Sequence, residues 1–254
     1  MTTQKNASNA DGEMSVAAHL RELRRRLLTY LGALAVCLLF GLRYAPELTR
    51  RLLSLGEAYS YRFVYLSPEE LLLEYLRISL AASFCVTLPG LLYEIWMFLR
   101  PGLRRDERLA VLVAMLSGTL CAALGAAFAY RIMTPFVLRF LFSLSDGIGV
   151  ASSVSVRSYL SFLLTQLAVF AAVFELPVIL AILTWFGLVR AKTLRRLRKP
   201  IIVLCFLLAA IITPPDPFSQ IMVAVPLLLL FELSIALCSL LEKRHGKMKS
   251  SRRG

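Results

Sequence analysis

The chain has 254 residues, of which 58% are apolar and 18% are charged, and its formal net charge is +13. This composition excludes an ordinary soluble domain and a protein with one membrane anchor, because long apolar runs recur along the whole chain. Attraction to anionic membrane lipids explains the positive charge, and nucleic-acid binding is the weaker interpretation.

Six apolar segments predict six transmembrane helices in a single domain, residues 15–242. Each span needs about 20 apolar residues to cross the ~30 Å hydrocarbon core. The spans are expected at residues 27–44, 72–98, 109–133, 159–186, 200–212 and 219–241. The predicted fold class is therefore an all-α polytopic membrane protein, with 1–14 as a disordered tail and 243–254 as a basic tail.

The basic residues predict the orientation of the chain. Most of the 29 Lys and Arg residues fall in segments 1–26, 99–108, 186–199 and 242–254. Because Lys and Arg are retained on the cytoplasmic side, both termini are expected in the cytoplasm. The first apolar run is long enough to span and no small-residue cleavage site follows it, so we interpret it as an anchor.

The segment 15–28, SVAAHLRELRRRLL, has the periodicity of an amphipathic helix. Glu22 is its only acid, in a run of four arginines. One interpretation is an i,i+4 pair with Arg26, worth about 0.3 to 0.5 kcal/mol. The other is a carboxylate that is held for a cation from outside. The two interpretations remain open at this point.

The connection at 100–108 repeats this pattern, with two acids among four arginines. It is expected in the same compartment as Glu22. Because the connections between the first three helices are fairly short, these helices are expected to be neighbours. Glu22 and Glu107 are therefore expected to converge on one cytoplasmic patch.

Glu175 interrupts the apolar run AVFAAVFELPVILAIL near the middle of the fourth predicted span. An acid at that depth costs about 2.5 to 3.5 kcal/mol, so it needs a reason. A protonated carboxyl bonded to a carbonyl that Pro177 frees is the structural interpretation. A polar point in a groove, or a proton-carrying site, is the functional one. Gln166 lies nine residues earlier, on nearly the opposite side of the helix.

Two further acids lie near the predicted cytoplasmic ends of their helices. Glu94 and Glu232 are close enough to the interface to reach it or to pair with arginines of the loops. Both are therefore expected to be structural.

The turn TPPDPFSQ at 213–220 separates the last two spans. Because of its three prolines and Asp216, this turn cannot form a hydrogen-bonded helix in hydrocarbon, so it must lie outside the bilayer core. The fifth span, 200–212, is only roughly 20 Å long and is too short for an undeformed ~30 Å core.

Six motifs in order resemble the TatC family, the largest subunit of the twin-arginine protein translocase. They are HLRELRRRL at 19–27, YEIWMFLRPGL at 93–103 with DER at 106–108, GAAFAY at 125–130, SYLSF at 158–162, FELPV at 174–178 and TPPDPFSQ at 213–220. The resemblance covers about 15–242, essentially the whole membrane region.

The resemblance implies a cup-shaped receptor of six helices in the cell inner membrane. It implies binding of twin-arginine signal peptides on folded precursors, export driven by the proton-motive force, and a hetero-oligomer with the single-span subunits TatA and TatB. By this resemblance the signal-peptide site comprises Glu22, Arg24, Phe98 and Glu107. Glu175 matches the acid on the concave side of the bundle, and Asp216 matches the acid of the outer turn. Thr213 and Gln220 match positions that contact the single-span partners.

The residues themselves predict no enzyme. There is no spacing typical of metal ligands, no nucleotide-binding loop and no nucleophile motif, so no catalytic residue, cofactor or metal site is predicted. A proton-coupled secondary transporter is the alternative, since it would also hold an intramembrane acid and proline-broken helices. The single acid near the midplane and the absence of a visible repeat favour the translocase.

Overall fold

The fold is seen in a computed structural model that describes residues 16–59, 61–99, 105–146, 153–213 and 216–251. Most of these residues are helical. The elements are α1 (Val16–Glu57), β1 (Arg62–Val64), α2 (Pro68–Leu99), α3 (Arg105–Phe128), a π-helical segment (Ala129–Met133), α4 (Thr134–Asp146), β2 (Ser153–Ser155), α5 (Val156–Phe174), α6 (Leu176–Trp185), α7 (Ala191–Arg196), α8 (Arg198–Ile212) and α9 (Pro217–Ser251).

The predicted all-α membrane class is confirmed. In the described part of the chain, five helical stretches are long and apolar enough to cross a membrane: Leu20–Glu57, Pro68–Phe98, Val111–Ser143, Val156–Trp185 and Pro217–Lys243. The predicted sixth span corresponds to α8, whose 15 residues extend roughly 22 Å. The tail 1–14 lies outside the described residues.

The first span is longer than the predicted 27–44, because α1 continues through Pro46 to Glu57. A proline inside a helix removes one backbone hydrogen bond. Beyond it, Leu48, Leu52 and Leu53 pack against a buried cluster, and this burial favours the continued helix.

Two other spans also depart from the prediction. The third continues past Met133, through the π-helical segment and into α4. The fourth is interrupted at Glu175, which separates α5 from α6. Pro177 explains this break, since it has no N–H to donate to the carbonyl four residues earlier.

The helices pack in pairs: α1 lies along α2, α3 packs against α5, and α9 packs against both α6 and α8. Gly125 permits the approach of α3 to α5, because a Cβ atom there would come within 2.5 Å of the Phe170 carbonyl oxygen. Phe170 is itself fully buried. The largest buried cluster joins the π-helical segment, α4, α5, α8 and α9.

The end of the molecule that carries β1 and β2 is called here the strand end. The two strands pair in parallel, with Phe63 opposite Val154. Glu70 joins their flanks: its carboxylate accepts hydrogen bonds from Leu66 N, Ser155 Oγ and Arg157 N, at 2.7 to 2.9 Å. These contacts fix the shape of the first long connection, which the sequence left undetermined.

The opposite end, where α1 begins and α2 ends, is called the basic end. There α9 runs past the predicted limit at 241 and is helical to Ser251, so most of the basic tail continues the last helix. Glu232 pairs with Arg198 across 2.7 Å, as expected for an acid near a basic connection.

Candidate binding site

The candidate site lies at the basic end, where α1, α2 and α3 come together. Arg26 of α1 contacts Glu94 of α2. The indole Nε1–H of Trp96 donates to the carbonyl oxygen of Arg108 (3.4 Å), which joins the end of α2 to the start of α3. The beginnings of α1 and α3 therefore lie on either side of the last turns of α2.

One guanidinium bridges two carboxylates at this site. Arg26 donates to Glu22 Oε1 from Nε (3.0 Å) and Nη2 (2.6 Å), and to Glu94 Oε2 from Nη1 (2.9 Å). The three side chains are only 20 to 25% exposed, so water screens these charges less than it would at an open surface. The i,i+4 pair of Glu22 with Arg26 is thus present in the structure, and a role of Glu22 in holding a cation from outside stays a prediction.

Glu22 retains an unused acceptor. Its Oε2 is buried and has no hydrogen-bond partner among the described residues. A buried acceptor without a partner carries a desolvation cost of about 1 to 3 kcal/mol. Arg26 therefore occupies the site, but no donor in the described part of the chain satisfies Glu22 Oε2.

The other residues expected at this site are placed differently. Arg24 is exposed, with no ion pair among the described residues, and lies about 200° around the helix from Glu22. Phe98 is half-buried, one turn beyond Glu94. Glu107 belongs to the first turn of α3 and not to a loop, and its side chain lies outside the described part of the chain. Its convergence with Glu22 stays a prediction.

Glu175 lies at the break between α5 and α6, half-buried against α3. A Cβ atom built at Gly118 would be 2.7 Å from Glu175 Oε2. Among the described residues no donor reaches this side chain, and the bond of a protonated carboxyl to a freed carbonyl stays one of the two interpretations. Gln166 lies elsewhere, as expected, where its Oε1 accepts a hydrogen bond from Thr134 Oγ1 (2.9 Å).

The turn between α8 and α9 is held by its own polar side chains. Asp216 caps α9, because its Oδ1 accepts from Ser219 N (2.7 Å) while Pro217 takes the first helical position. Thr213 is buried and donates to the Ala209 carbonyl. Gln220 Nε2 donates to the Phe206 carbonyl (2.9 Å), which ties α9 to α8. Partner contacts by Thr213 and Gln220 stay predictions.

The sequence of the chain matches a known protein family. The model of the family described as Sec-independent protein translocase protein (TatC) matches residues 18–226. The chain belongs to the TatC family.

TatC proteins of two bacteria are similar over most of their length. That of Aquifex aeolicus is 34% identical over 242 residues, covering 94% of this chain and 100% of the relative. That of Helicobacter pylori strain J99 is 33% identical over 222 residues, covering 87% and 88%. A crystal structure described as the twin arginine translocase receptor TatC superimposes with a TM-score of 0.79 and 36% identity, covering 88% of this chain and 99% of that one.

Membership of the TatC family makes the chain a multi-pass membrane component of a Sec-independent protein translocase. The family is thus one of protein transport. The resemblance seen in the sequence motifs is therefore confirmed at the level of the family and the fold.

Glu94 is the site residue of this TatC-family chain that the sequence reasoning missed. It was expected to reach the interface or to pair with loop arginines, yet it pairs with Arg26 of α1 because its face of α2 is turned toward α1. No local pattern in the sequence marks this pairing. In the structure the neighbouring contact has the same register: Thr87 lies seven residues earlier on the same face of α2, and its hydroxyl contacts Tyr30 OH (3.4 Å), one turn from Arg26.

Proposed function

We propose that this TatC-family chain is the receptor that binds twin-arginine signal peptides of folded precursors, at the basic end. The observation that carries the proposal is the pair of carboxylates, Glu22 and Glu94, already arranged around one guanidinium at 2.6 to 3.0 Å. A site that holds an arginine of its own chain has the geometry to hold one from a peptide.

The chemistry of the site favours arginine over lysine. A guanidinium presents several N–H donors in a fixed plane and can bridge two carboxylates, whereas a lysine ammonium is a single point of charge. Exposed arginines occupy other faces of the same stretch of α1, among them Arg24 and Arg25. Their repulsion would disfavour cationic peptides that do not reach the carboxylates, which adds selectivity.

Peptide binding to purified protein in detergent tests this proposal. Glu22→Gln should weaken binding of a twin-arginine peptide about tenfold or more, because a hydrogen bond to a charged group is worth roughly 1.5 to 3 kcal/mol. The matched control is Glu47→Gln, which breaks another i,i+4 pair of α1, with Arg51, at 3.0 Å. Equal binding by these two variants and the wild type would reject the site.

Glu107 is included in the proposed site because the start of α3 lies beside the end of α2. Glu107→Gln should also weaken peptide binding. If both acids hold one arginine pair, the double variant with Glu22→Gln should lose less binding free energy than the sum of the two single losses. Full additivity would place Glu107 at a separate contact.

We further propose that single-span subunits, TatA and TatB, lie against the edge formed by α8 and α9. Exposed apolar side chains cover this edge, including Val203, Leu207, Ile221 and Val225. Gln220 offers its remaining amide acceptor there. Site-specific photocrosslinking from 207 and 221 should capture single-span partners, and crosslinks from these positions to lipid alone would argue against this edge.

The orientation and the energy source complete the proposal. Both termini face the cytoplasmic side of the cell inner membrane, since most basic residues lie in segments 1–26, 99–108, 186–199 and 242–254 of the sequence. We propose that transport draws on the proton-motive force, as the resemblance to the TatC family implies. Cysteine labelling from either side tests the orientation, and addition of an uncoupler to transporting vesicles tests the energy source.

A further inference from the structure

We propose that Arg26 is an internal occupant of the signal-peptide site, and that a peptide guanidinium replaces it on Glu22 and Glu94. This inference rests on the proposed function and adds a mechanism of competition to it. Glu94 thereby becomes a specificity-determining residue, and Arg26 a built-in competitor.

The contacts show how fully Arg26 uses the site. All three of its side-chain nitrogens donate, two of them to Glu22 Oε1 and one to Glu94 Oε2. A peptide guanidinium cannot make the same bonds while Arg26 is in place. Binding therefore requires that Arg26 swing away from at least one of the two acids.

The partial burial of these groups makes the exchange selective. Removing a cation from these partly buried carboxylates leaves uncompensated charge and is unfavourable, whereas replacing one guanidinium by another conserves the charge and the bonds. A lysine side chain restores the charge but not the bridged geometry. A peptide arginine can therefore displace Arg26 from the two carboxylates, and a peptide lysine cannot.

The unpartnered Glu22 Oε2 supports binding of more than one guanidinium. This buried atom has no donor among the described residues while Arg26 is bound. A peptide with two adjacent arginines brings a second guanidinium, which can donate to it. The pair of peptide arginines thus satisfies an acceptor that Arg26 alone leaves open.

The test compares Arg26→Gln with Arg25→Gln, which removes the same charge from an exposed neighbour that has no ion pair among the described residues. Affinities are measured for a twin-arginine peptide and for its twin-lysine counterpart. Arg26→Gln should bind the twin-arginine peptide about tenfold more tightly, the value of roughly one charge-assisted hydrogen bond. It should also discriminate less against twin lysine. Adding Glu94→Gln should cancel the gain.

A second measurement follows the carboxylates directly. Carbodiimide labelling with mass spectrometry should find Glu94 protected in the wild type, reactive in Arg26→Gln, and protected again by the twin-arginine peptide. Arg26→Lys, which keeps the charge, should show a smaller gain in affinity and provides a second variant if Arg26→Gln does not fold.

The outcomes separate the two proposals. A wild type that binds twin-arginine and twin-lysine peptides equally would reject the proposed function, while the labelling of Glu94 in Arg26→Gln would still report whether Arg26 covers it. If the wild type prefers twin arginine but folded Arg26→Gln and Arg26→Lys bind no more tightly than Arg25→Gln, the internal competitor is rejected and Arg26 is a structural ion-pair partner.

Discussion

The carboxylate of Glu175 lies directly against the backbone of α3 at Gly118. A Cβ atom built at Gly118 would come within 2.7 Å of Glu175 Oε2 and 3.3 Å of its Cδ. Distances under 3.0 Å are closer than non-bonded atoms tolerate, so the absence of a side chain at Gly118 is what permits this position of the acid. The break at Pro177 and the gap at Gly118 together place Glu175.

Gly118→Ala should therefore displace the Glu175 carboxylate and lower transport of a precursor in membrane vesicles. Alanine is the better helix former by about 1 kcal/mol, so the helix itself should not be weakened. Gly90→Ala is the matched control, because nothing lies within 4 Å of a Cβ built there. Glu175→Asp, one methylene shorter, should partly restore transport in the Gly118→Ala background.

The same experiment decides whether Glu175 acts in transport at all. Glu175→Leu removes an acid that costs roughly 2.5 to 3.5 kcal/mol on insertion, so it should fold at least as well as the wild type. Wild-type transport by Glu175→Leu would show that the position of this carboxylate is irrelevant, and the effect of Gly118→Ala would then have another cause.

Local spacing in the sequence predicted the contacts that lie within one helix or one turn. The pair of Glu22 with Arg26 follows from the i,i+4 rule, and the end of α8 before Asp216 follows from the prolines. The partner of Glu94 could not be predicted in this way, since it lies 68 residues earlier in the chain. The relative register of α1 and α2 decides that contact, and no local pattern encodes a register.

Substitutions of Asp216 test whether its only role is to cap α9. Asp216→Ala should lower the stability by about 1 kcal/mol, because it removes the cap of α9. Asp216→Asn can still accept from Ser219 N and should cost much less. Thermal unfolding in detergent measures the stability, and a transport assay is run in parallel. A stable Asp216→Asn protein that fails in transport would give the negative charge a role beyond capping.

Glu70 holds the strand end together, and Glu70→Gln should loosen it. The amide has one carbonyl oxygen in place of two carboxylate oxygens, while Leu66, Ser155 and Arg157 all donate to this side chain. The expected result is a lower midpoint of thermal unfolding and faster proteolysis in the connection before α2. Glu69→Gln is the control, since Glu69 is exposed and has no bond among the described residues. Equal midpoints for the two variants would deny Glu70 this role.

The pairing at the strand end could not be predicted from the sequence. β1 and β2 are three residues each and pair although about 90 positions separate them, with Arg62 opposite Ser153. Strands this short have no readable alternation. Burial of Tyr61 raises the pKa of its phenol, so it stays a neutral donor to the Leu138 carbonyl (3.1 Å). Such contacts follow from the packed helices and not from the local sequence.

The length of α8 sets the last prediction. With 15 residues, or roughly 22 Å, it falls short of a ~30 Å hydrocarbon core. A mismatch of this kind is met by local thinning of the bilayer or by partner helices that cover the gap. Four leucines inserted between Val203 and Leu204 would lengthen the helix to roughly 28 Å. The bond of Gln220 to Phe206 would be kept, because both residues lie beyond the insertion.

Lengthening α8 should depress transport while peptide binding at Glu22 is unchanged, because the inserted turn restores bilayer thickness only at the α8 edge. The insertion also separates Arg198 from Glu232, so Glu232→Gln serves as the control that breaks this pair without changing the helix length. Both partners are 48% exposed, and a pair of this kind contributes only about 0 to 1 kcal/mol. Transport in vesicles and photocrosslinking from 221 are measured together. Normal transport by the lengthened protein, with its partner crosslinks retained, would rule out a contribution of membrane thinning at α8.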